Sequence, residues 1–558
     1  MIDPVEIALK KFECHPSIMD IKEKVIVKTK FSFSKVEVSE IKIEIKNLDI
    51  NKSGTFSNIP AKQLKQVEEI ILEPLMKIWN HEILENEKFP SKLKFADITP
   101  IFKKCESILK ENYRPVSILP VVSKIFERIM QKKMKCYIEK YLSPFLCGYR
   151  KGYNTQYALI EMLERWKEQL DKNGGIAGAI FMDLSKAFDT LNHELLIAKL
   201  DAYGFDKRAL AILLSYLSDR WHRTKINTSF STWSEILNGV PQGSILGPLL
   251  FNIYINDLFY QFINTHTCNF ADDTTLSAFS TNLEQLLYNL EYDTQSAIIW
   301  FENNYMKLNH KKCHFLISGN VNEYLWIKVN DELIWESAEE KLLGVTIDKN
   351  LNFNSHLANL CKKVGQKVTA LARIVNLLPF QKRRIILNTF IESQFSYCPL
   401  VWMFCSREMN MKINHIHERA LRLVYFDYNS SFEELLKKDK SISIHHRNIH
   451  NVATLIYMVK NNLPPPFIQD IFEYKGHGRI TRMGGKFARP NVNKVYKGEN
   501  SLRNFGPIVW NNILPQNLKE CSSLLEFKNS IKSWIPNNCP CRLCKINVKG
   551  VGFLEVFD

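Results

Sequence analysis

The sequence predicts an α+β fold with helical additions, because short apolar strands alternate with helices in an irregular order. The apolar run 179–182 is predicted to be a buried strand, and Asp183 follows it directly. Two further short strands, 265–270 and 274–279, flank a turn that carries two adjacent aspartates. Acidic side chains at a strand end and at a tight turn can converge in space, which makes this part of the chain the candidate site.

The other elements follow in chain order from apolar periodicity and from the Gly, Pro and Asn residues at the breaks. Residues up to about 50 alternate Lys and Glu with β-branched residues, which is compatible with an amphipathic strand or a helix. A strand is predicted at 97–104, and a strand pair is predicted around 342–347. Helices are predicted at 61–86, 121–141, 195–200, 205–218, 244–263, 283–304 and over most of 351–425.

The composition is that of a basic globular chain. Its 558 residues are enough for about two to four domains. Hydrophobic residues at 45% and charged residues at 24% are ordinary, but the net charge of +15 favours an acidic polymer as partner. A basic protein without such a partner can carry the same charge. The thirteen cysteines lie mostly in apolar runs, which indicates reduced, buried thiols rather than a disulfide framework.

The sequence gives no signal for secretion or membrane insertion. Met1 is followed by Asp3 and Glu6 without a long apolar stretch. The most apolar later segment, 244–255, is too short to cross a bilayer and contains Pro248. We therefore expect a soluble intracellular protein without a membrane partner.

Asp183, Asp272 and Asp273 form the candidate metal site. Neighbouring carboxylates repel each other, and an Asp-Asp turn considered alone is usually only a solvated turn. A third carboxylate at a strand end changes that interpretation, since hard oxygen ligands suit Mg²⁺. We expect the three acids to hold two Mg²⁺ ions for phosphoryl transfer, with Asp183 and Asp272 as the direct bridging ligands. Asp189, which follows the strand, is interpreted as a helix cap or turn residue.

Segments around these acids resemble polymerase motifs A, B and C of reverse transcriptases from non-LTR (LINE-type) retrotransposons, close to the mobile-element jockey group. The three segments are 181–190 (FMDLSKAFDT), 239–248 (GVPQGSILGP) and 270–273 (FADD). Further matches are 112–117 (NYRPVS), 254–258 (YINDL) and 343–345 (LGV). The resemblance is highly specific over about residues 89–350 and less specific from 350 to about 535.

The resemblance implies a right-hand polymerase fold, with fingers, a palm built on an antiparallel sheet and a helical thumb, followed by a mainly helical C-terminal region. It implies an RNA-directed DNA polymerase that copies RNA into cDNA from dNTPs, with an RNA template and a DNA primer as partners. The implied domains are 1–88 (N-terminal extension and part of the fingers), 89–350 (fingers and palm), 351–430 (thumb) and 431–558 (basic nucleic-acid-binding region).

The resemblance also implies the nucleotide pocket. Phe188 takes the position of a steric gate, whose ring would clash with a ribose 2′-hydroxyl and so select dNTPs. Gln242 and Gly243 take the position of the nucleotide-site loop, where an amide can hydrogen-bond and Gly permits close backbone approach. Considered without the motifs, Phe188 is a core aromatic residue and Pro-Gln-Gly is a turn.

The resemblance also implies basic residues that contact the triphosphate and the leaving pyrophosphate. Lys103 and Arg114 lie in segments that resemble the fingers motifs holding the β- and γ-phosphates. Lys312 corresponds to the lysine that can protonate the leaving pyrophosphate, although Lys311 beside it leaves the assignment open by one place. Considered alone, each of these residues is a solvated surface charge. The 343–345 segment matches the region that steers the primer end.

Two basic stretches are predicted to bind nucleic-acid backbone outside the active site. The first, 361–384, has helical periodicity and carries Lys362, Lys363, Lys367, Arg373, Lys382, Arg383 and Arg384. The second, 475–497, is Gly-bearing and carries Arg479, Arg482, Lys486, Arg489 and Lys494. Solvated basic faces remain the alternative for both.

The remaining His and Cys residues give weaker signals. Cys539, Cys541 and Cys544 offer three thiolates for zinc, but no fourth ligand is evident nearby, and the zinc question stays open. His417 and the His445 pair are interpreted as structural or nucleic-acid-facing residues rather than metal ligands.

Two other functions compete with the polymerase. A catalytically decayed, nucleic-acid-binding retroelement fragment is disfavoured by the intact Asp183, Asp272, Asp273, Gln242 and Phe188. An RNA-templated RNA polymerase should carry a small residue in place of Phe188. Group II intron proteins share the palm, but motifs A and B resemble the LINE-type set more closely.

Relatives in this family commonly carry an apurinic-type endonuclease domain before the polymerase, and this chain has no room for one. We therefore expect an endonuclease supplied in trans, or a chain that is a fragment of a longer element. As a ribonucleoprotein, the protein is expected in the nucleus and the cytoplasm.

Overall fold

The computed structural model describes residues 3–51, 59–103, 106–321, 324–329, 332–475, 485–536 and 539. The N-terminal part is helical around one strand hairpin, and Asp3 starts the first helix by accepting a hydrogen bond from the backbone N–H of Val5 (3.0 Å). Its elements are α1 (Pro4–Lys11), α2 (Pro16–Lys24), α3 (Val38–Lys46), α4 (Ala61–Gln66), α5 (Glu68–Lys77), β1 (Phe95–Phe102), β2 (Tyr113–Ile118), α6 (Val121–Ile138) and α7 (Thr155–Asp171). The segment before position 50, where strand and helix were both open, therefore contains three helices, with irregular backbone at 25–37.

The middle of the chain supplies most of the strands. Its first elements are β3 (Ile176–Met182), β4 (Leu184–Ser185), α8 (His193–Ala202), α9 (Lys207–Leu217), β5 (Arg220–Ile226), β6 (Ser229–Phe230), β7 (Ser234–Ile236) and α10 (Gly247–Ile255). Those that follow are β8 (His266–Phe270), β9 (Asp273–Ser280), α11 (Leu283–Asn303), β10 (Lys307–Leu308), β11 (His314–Ser318), β12 (Trp326–Val329), β13 (Glu332–Trp335), β14 (Glu339–Leu342) and β15 (Val345–Asp348). The predicted helix 244–263 is shorter than expected, because α10 gives way to a 3₁₀ turn at Asn256–Tyr260.

The C-terminal part is mainly helical, as the sequence predicts. Its elements are α12 (Asn354–Ile374), α13 (Phe380–Ile386), α14 (Pro399–Trp402), α15 (Arg407–Tyr425), α16 (Phe432–Asp439), α17 (Ile444–Lys460), α18 (Pro466–Gln469), β16 (Tyr474–Lys475), β17 (Lys486–Phe487), α19 (Leu502–Ile508), α20 (Gln516–Lys519) and α21 (Leu524–Ser530). Among the described helices, none has both the length and the apolar character that a membrane span needs.

The central sheet is antiparallel, with strand order β11-β3-β9-β8. Alternate residues of β3 face two separate hydrophobic cores. Ile180 and Met182 join the core that contains α11, whereas Ala179 and Phe181 join the core that contains α7. Burial on both faces explains why β3 is a continuous apolar run in the sequence rather than an alternating one.

A second sheet, with order β2-β1-β5-β6 and β7 beside β5, lies next to the motif B loop, residues 239–246. β1 pairs with β2 in antiparallel register and with β5 in parallel register. The backbone N–H of Ser117 in β2 donates to the carbonyl of Gln242 (2.7 Å). This bond fixes the β1–β2 hairpin, predicted in part as strand 97–104, against the loop that carries Gln242 and Gly243.

Candidate active site

The acidic turn is the two-residue connection between β8 and β9. Ala271 adopts a positive φ of 59°, and Asp272 follows it at the tip, with Asp273 starting β9. The buried Asn269 side chain donates to the carbonyl of Ala271 (3.0 Å) and to the hydroxyl of Thr274 (2.9 Å). These hydrogen bonds from Asn269 fix the turn, and its two carboxylates lie at the end of the central sheet.

Asp183 lies at the same end of the sheet. Met182 pairs with Thr274 in the antiparallel β3–β9 register. Asp183 follows Met182 and Asp273 precedes Thr274, so the register places these two aspartates beside each other. Burial, together with the like charges of Asp272 and Asp183, raises the pKa of Asp273 to about 6. Burial also raises the pKa of Asp272, with a further contribution from Asp183. The three predicted acids thus repel one another at close quarters.

Lys312 supplies a positive charge at this cluster. Its Nζ lies 2.9 Å from Oδ2 of Asp183, and the backbone N–H of Asn309 donates to the carbonyl of Asp183 (2.9 Å). The pair is partly solvated, since the lysine side chain is 63% exposed and the aspartate 28%. Of the two neighbouring lysines that the sequence left open, Lys312 rather than Lys311 makes this contact.

The donor set fits Mg²⁺, although the carboxylates do not form a ready-made coordination site. In the part of the chain that the structure describes, no group of three His, Cys, Asp or Glu side chains is arranged to hold a metal ion. Burial nevertheless raises the pKa of Asp273, and repulsion by the carboxylates of Asp272 and Asp183 adds to that effect. A divalent cation with hard oxygen ligands would relieve that repulsion.

Phe188 lies in a cluster of three aromatic rings. Its ring is parallel to that of Phe251 (10° between planes, centroids 4.7 Å apart). Tyr149 meets the same ring edge-on at 5.8 Å and 88°. Phe188 is half-buried against the core, and its carbonyl accepts from the N–H of Val240 (2.9 Å), which joins the strand end to the motif B loop.

The motif B loop is held through its polar atoms. The side-chain Nε2 of Gln242 donates to Oδ1 of Asp189 (2.9 Å), which orients the amide. Gly243 has a φ of +128°, and a Cβ there would lie 2.4 Å from the carbonyl oxygen of Ser117. Asp189 closes the short 3₁₀ turn Ala187–Asp189, so its interpretation as a turn residue is confirmed, whereas the cap of α8 is Asn192.

Lys103 and Arg114 lie on one face of the β1–β2 hairpin. Arg114 pairs with Ile101, which shares its face with Lys103, and both basic side chains are exposed. Both positive charges act to lower the pKa of Asp272 against the effect of its burial. The positive charges of the hairpin therefore act on the acidic turn, where the family resemblance implies that the triphosphate binds.

Two contributors were missed by the sequence analysis. Tyr149 gives little signal, because it lies in a loop without periodicity. Glu127 could have been found, since it interrupts the apolar face of α6. Its carboxylate is fully buried and accepts from the backbone N–H groups of Ile245 (2.6 Å) and Leu246 (3.4 Å) and from the hydroxyl of Ser123 (3.0 Å). It thereby supports the motif B loop from the core.

The first basic stretch lies on α12 and α13 and carries exposed basic residues, but Arg383 is not a surface charge. Lys362, Lys363 and Arg373 are exposed along α12. Arg383 is buried under the ring of Phe426, at 4.1 Å from its centroid, and Arg384 Nε lies 3.1 Å from Oδ1 of Asp439. Both contacts come from residues later in the chain. Arg383 is buried, so the prediction that it faces nucleic acid is wrong, whereas the Arg384 side chain is 42% exposed beside Asp439.

Two of the basic residues in the second stretch make contacts within the fold, and one of them, Lys494, attaches the chain to the end of α7. Lys494 Nζ donates to the carbonyls of Leu170 (2.7 Å) and Lys172 (2.9 Å), and Arg489 Nε donates to Asn504 Oδ1 (2.8 Å). Lys486 is exposed. The remaining predicted residues, Arg479, Arg482, Cys541 and Cys544, lie outside the described residues.

His417 has the structural role that the sequence favoured. Its Nε2 lies 2.9 Å from Oε1 of Glu392, and Arg447 donates twice to the same carboxylate (2.8 Å each). Burial alone would raise the pKa of Glu392, but the hydrogen bonds from His417 and Arg447 outweigh it and lower that pKa to about 2.

Comparison with known proteins finds a family match over the part of the chain that holds this site. Residues 101–347 match the family described as "Reverse transcriptase (RNA-dependent DNA polymerase)". This range contains Asp183, Asp272, Asp273 and Lys312.

Three of the curated relatives come from transposable elements of Drosophila melanogaster. The "Probable RNA-directed DNA polymerase from transposon BS" is 26% identical over 407 residues, which cover 70% of this chain and 44% of the relative. The "RNA-directed DNA polymerase from mobile element jockey" is 26% identical over 410 residues, with the same coverage. The "Probable RNA-directed DNA polymerase from transposon X-element" is 23% identical over 423 residues, covering 73% and 46%. The resemblance to jockey-like elements is confirmed, and the chain spans about half the length of these relatives.

Proposed function

Because residues 101–347 belong to the reverse transcriptase family, we propose that this chain is an RNA-directed DNA polymerase of a jockey-like non-LTR retrotransposon. It extends a DNA primer on an RNA template by nucleotidyl transfer from dNTPs. The observation that carries the proposal is the meeting of Asp183 with the Asp272–Asp273 turn at one end of a single antiparallel sheet.

The proposed arrangement is a right hand. The central sheet, with α7 and α11 on its two faces, is the palm, and the β1–β2 hairpin with its neighbouring strands belongs to the fingers. α12 and α15, which pack on each other after the last strand pair, form the thumb. The β14–β15 turn at Leu343 and Gly344 is the primer-steering element, and Tyr397 Oη donates to its Leu343 carbonyl (2.6 Å).

The mechanism assigns the acids to metal binding and the bases to phosphate binding. Asp183, Asp272 and Asp273 would hold two Mg²⁺ ions, which would supply the positive charge that stabilises the attacking 3′-oxygen and the departing pyrophosphate. Lys103 and Arg114 hold the β- and γ-phosphates, for which charge-assisted hydrogen bonds are suited. Together these residues position the triphosphate, which is most of what phosphoryl transfer asks of a protein.

The chain's own groups complete the step. Lys312 leaves the Asp183 carboxylate and donates a proton to the pyrophosphate oxygen as it departs. Gln242, held by Asp189, and the close-packed Gly243 form the surface on which the nucleotide lies. Phe188 excludes a ribose 2′-hydroxyl by the position of its ring.

One assay tests the proposal. Purified protein is given oligo(dT)-primed poly(A), Mg²⁺ and labelled dTTP, and the product is compared with that of Asp272→Asn. We expect incorporation by the parent and at least about a hundredfold less by the variant, as losing a group that positions charge at the reacting phosphate costs. Removing one of three repelling carboxylates should leave the variant at least as stable as the parent to thermal unfolding.

Asp470→Asn is the matched control. Asp470 is exposed in a loop after α18, away from the central sheet, and the same change of charge there should leave incorporation unchanged. Equal incorporation by the parent and Asp272→Asn would remove Asp272 from the site. No incorporation by a folded parent would refute the polymerase.

A further inference from the structure

Tyr149 is an aromatic residue whose conformation is not explained by core packing. Its side chain is 51% exposed, although tyrosine rings are usually placed to bury most of their area. Its φ is +60°, a left-handed conformation that is unfavourable for a bulky residue with a Cβ. Such a residue is kept in place only when its surroundings determine it, and these positions concentrate at functional sites.

The segment before Tyr149 is fixed to the acidic turn. The backbone N–H of Cys147 donates to the carbonyl of Asn269 (3.0 Å), in a parallel bridge along the free edge of β8. A Cβ on Gly148 would lie 2.4 Å from the backbone nitrogen of Ala271, so the two backbones are in contact there. Arg150 then holds the other side, with Nη1 donating to the carbonyls of Ser143 (2.6 Å) and Leu146 (3.1 Å).

This anchoring places the Tyr149 backbone beside the acidic turn, and its ring contacts Phe188. Burial raises the pKa of the Tyr149 phenol, and the charge of Asp272 adds a smaller contribution in the same direction. The ring meets Phe188 edge-on at 5.8 Å, and Phe251 covers Phe188 with a parallel ring at 4.7 Å. Phe188 is therefore confined by Phe251 and by Tyr149.

We propose that Tyr149 is the positioning residue that keeps Phe188 in place as a sugar-discriminating gate. An aromatic gate rejects a ribose only if its ring cannot turn away when a 2′-hydroxyl presses on it. Phe251 blocks one direction of movement, and Tyr149, anchored to the catalytic turn, blocks the other. This inference rests on the proposed polymerase function and assigns to Tyr149 the selectivity between dNTPs and rNTPs.

The test removes the ring without straining the backbone. Tyr149→Gly suits a φ of +60°, since glycine adopts that conformation without the penalty of a Cβ. Tyr149→Phe keeps the ring and removes only the hydroxyl. The readout is the ratio of kcat/KM for dTTP to that for UTP on oligo(dT)-primed poly(A), because a merely structural defect lowers both values together.

Tyr305 offers a matched control on the same chain. It is also 51% exposed, has a φ of +57°, and meets another ring, Phe12, edge-on at 6.4 Å, but it lies outside the site. We expect Tyr149→Gly to lower the dTTP/UTP ratio by about tenfold or more, the scale on which steric fit in a pocket discriminates. Tyr149→Phe and Tyr305→Gly should stay within about twofold of the parent ratio.

A double variant tests whether Tyr149 acts through Phe188. In a Phe188→Ala background the gate is already lost, so Tyr149→Gly should lower the ratio no further. An additional full-sized decrease there would contradict action through the gate, as would an unchanged ratio in Tyr149→Gly alone. Tyr149→Asn, which also tolerates the left-handed conformation, gives the same measurement if the glycine variant is insoluble.

The outcomes separate this inference from the function on which it rests. A folded parent that incorporates neither nucleotide refutes the polymerase itself. A parent that prefers dTTP, with Tyr149→Gly showing the same preference, refutes only the role of Tyr149.

Discussion

Replacing Lys312 separates a structural from a chemical role in the same side chain. The Lys312–Asp183 ion pair is 2.9 Å long, but its side chains are 63% and 28% exposed. A solvated pair of this kind contributes only about 0–1 kcal/mol to stability. Lys312→Ala should therefore change the free energy of unfolding by less than about 1 kcal/mol. That range includes the effect on stability of removing a positive charge beside the three carboxylates.

The expected effect on the reaction is much larger. General acid catalysis typically contributes about 10²–10⁴-fold, which corresponds to roughly 3–5 kcal/mol in the activation free energy. We expect Lys312→Ala to slow single-turnover incorporation of dTTP by at least about a hundredfold, with dTTP binding affected much less. Lys311→Ala is the control, because Lys311 neighbours Lys312 while Lys312 makes the contact with Asp183.

The leaving group gives an independent measurement. Without a proton donor, the rate depends more strongly on how well the pyrophosphate carries negative charge. A β,γ-difluoromethylene analogue of dTTP should therefore recover more of the lost rate in Lys312→Ala than the less acidic β,γ-methylene analogue does. The reasoning is refuted if Lys312→Ala stays within about threefold of the parent, or if Lys311→Ala loses as much.

Three further changes test the rest of the molecule. Glu392→Gln should lower the free energy of unfolding at pH 7 by about 3 kcal/mol, since the carboxylate pKa falls from 4.5 to about 2 on folding. This stability is present above pH 4.5 and is lost as the pH falls toward 2. Denaturant titrations of the parent and the variant should therefore give the same free energy of unfolding near pH 2. Replacing both Lys362 and Lys363 by Ala should reduce the salt dependence of template–primer binding by a slope of about 1–2, whereas Arg384→Ala should change thermal stability and not that slope. Gly243→Ala should lower kcat/KM for dTTP by more than about tenfold, because its Cβ would lie 2.4 Å from a backbone oxygen.

The sequence predicts the centre of this molecule better than its periphery. The strand before Asp183 and the hairpin at Asp272 are local patterns, one a buried apolar run and the other two strands around a tight turn. The β5 strand escaped notice because Arg220–Ile226 is mostly polar and basic, without apolar alternation. Its position is set by pairing with β1, more than 100 residues earlier in the chain.

Charge at the surface is predicted least well, because burial of a basic residue is decided by partners far away in the sequence. Arg383 belongs to a basic stretch that composition predicts to be exposed, yet it is buried against the ring of Phe426, which follows a later helix. Glu127 shows the opposite case. A single acid on the apolar face of α6 requires a buried hydrogen-bond partner, and the sequence alone indicates this requirement. The sequence does not indicate which groups meet it, namely the backbone N–H groups of the motif B loop.

The acidic and the basic side chains of the site lie on different parts of the fold, and hydrogen bonding connects these parts. The carboxylates are carried by the central sheet, whereas Lys103 and Arg114 are carried by the β1–β2 hairpin. The backbone bond from Ser117 to Gln242 (2.7 Å) ties that hairpin to the motif B loop. The close contact of Gly243 with the same residue allows no space between them. A shift of the hairpin must therefore carry the nucleotide loop with it, so that phosphate binding and base positioning change together. The decrease expected for Gly243→Ala should accordingly appear in KM for dTTP as well as in kcat, and an effect on kcat alone would contradict this coupling.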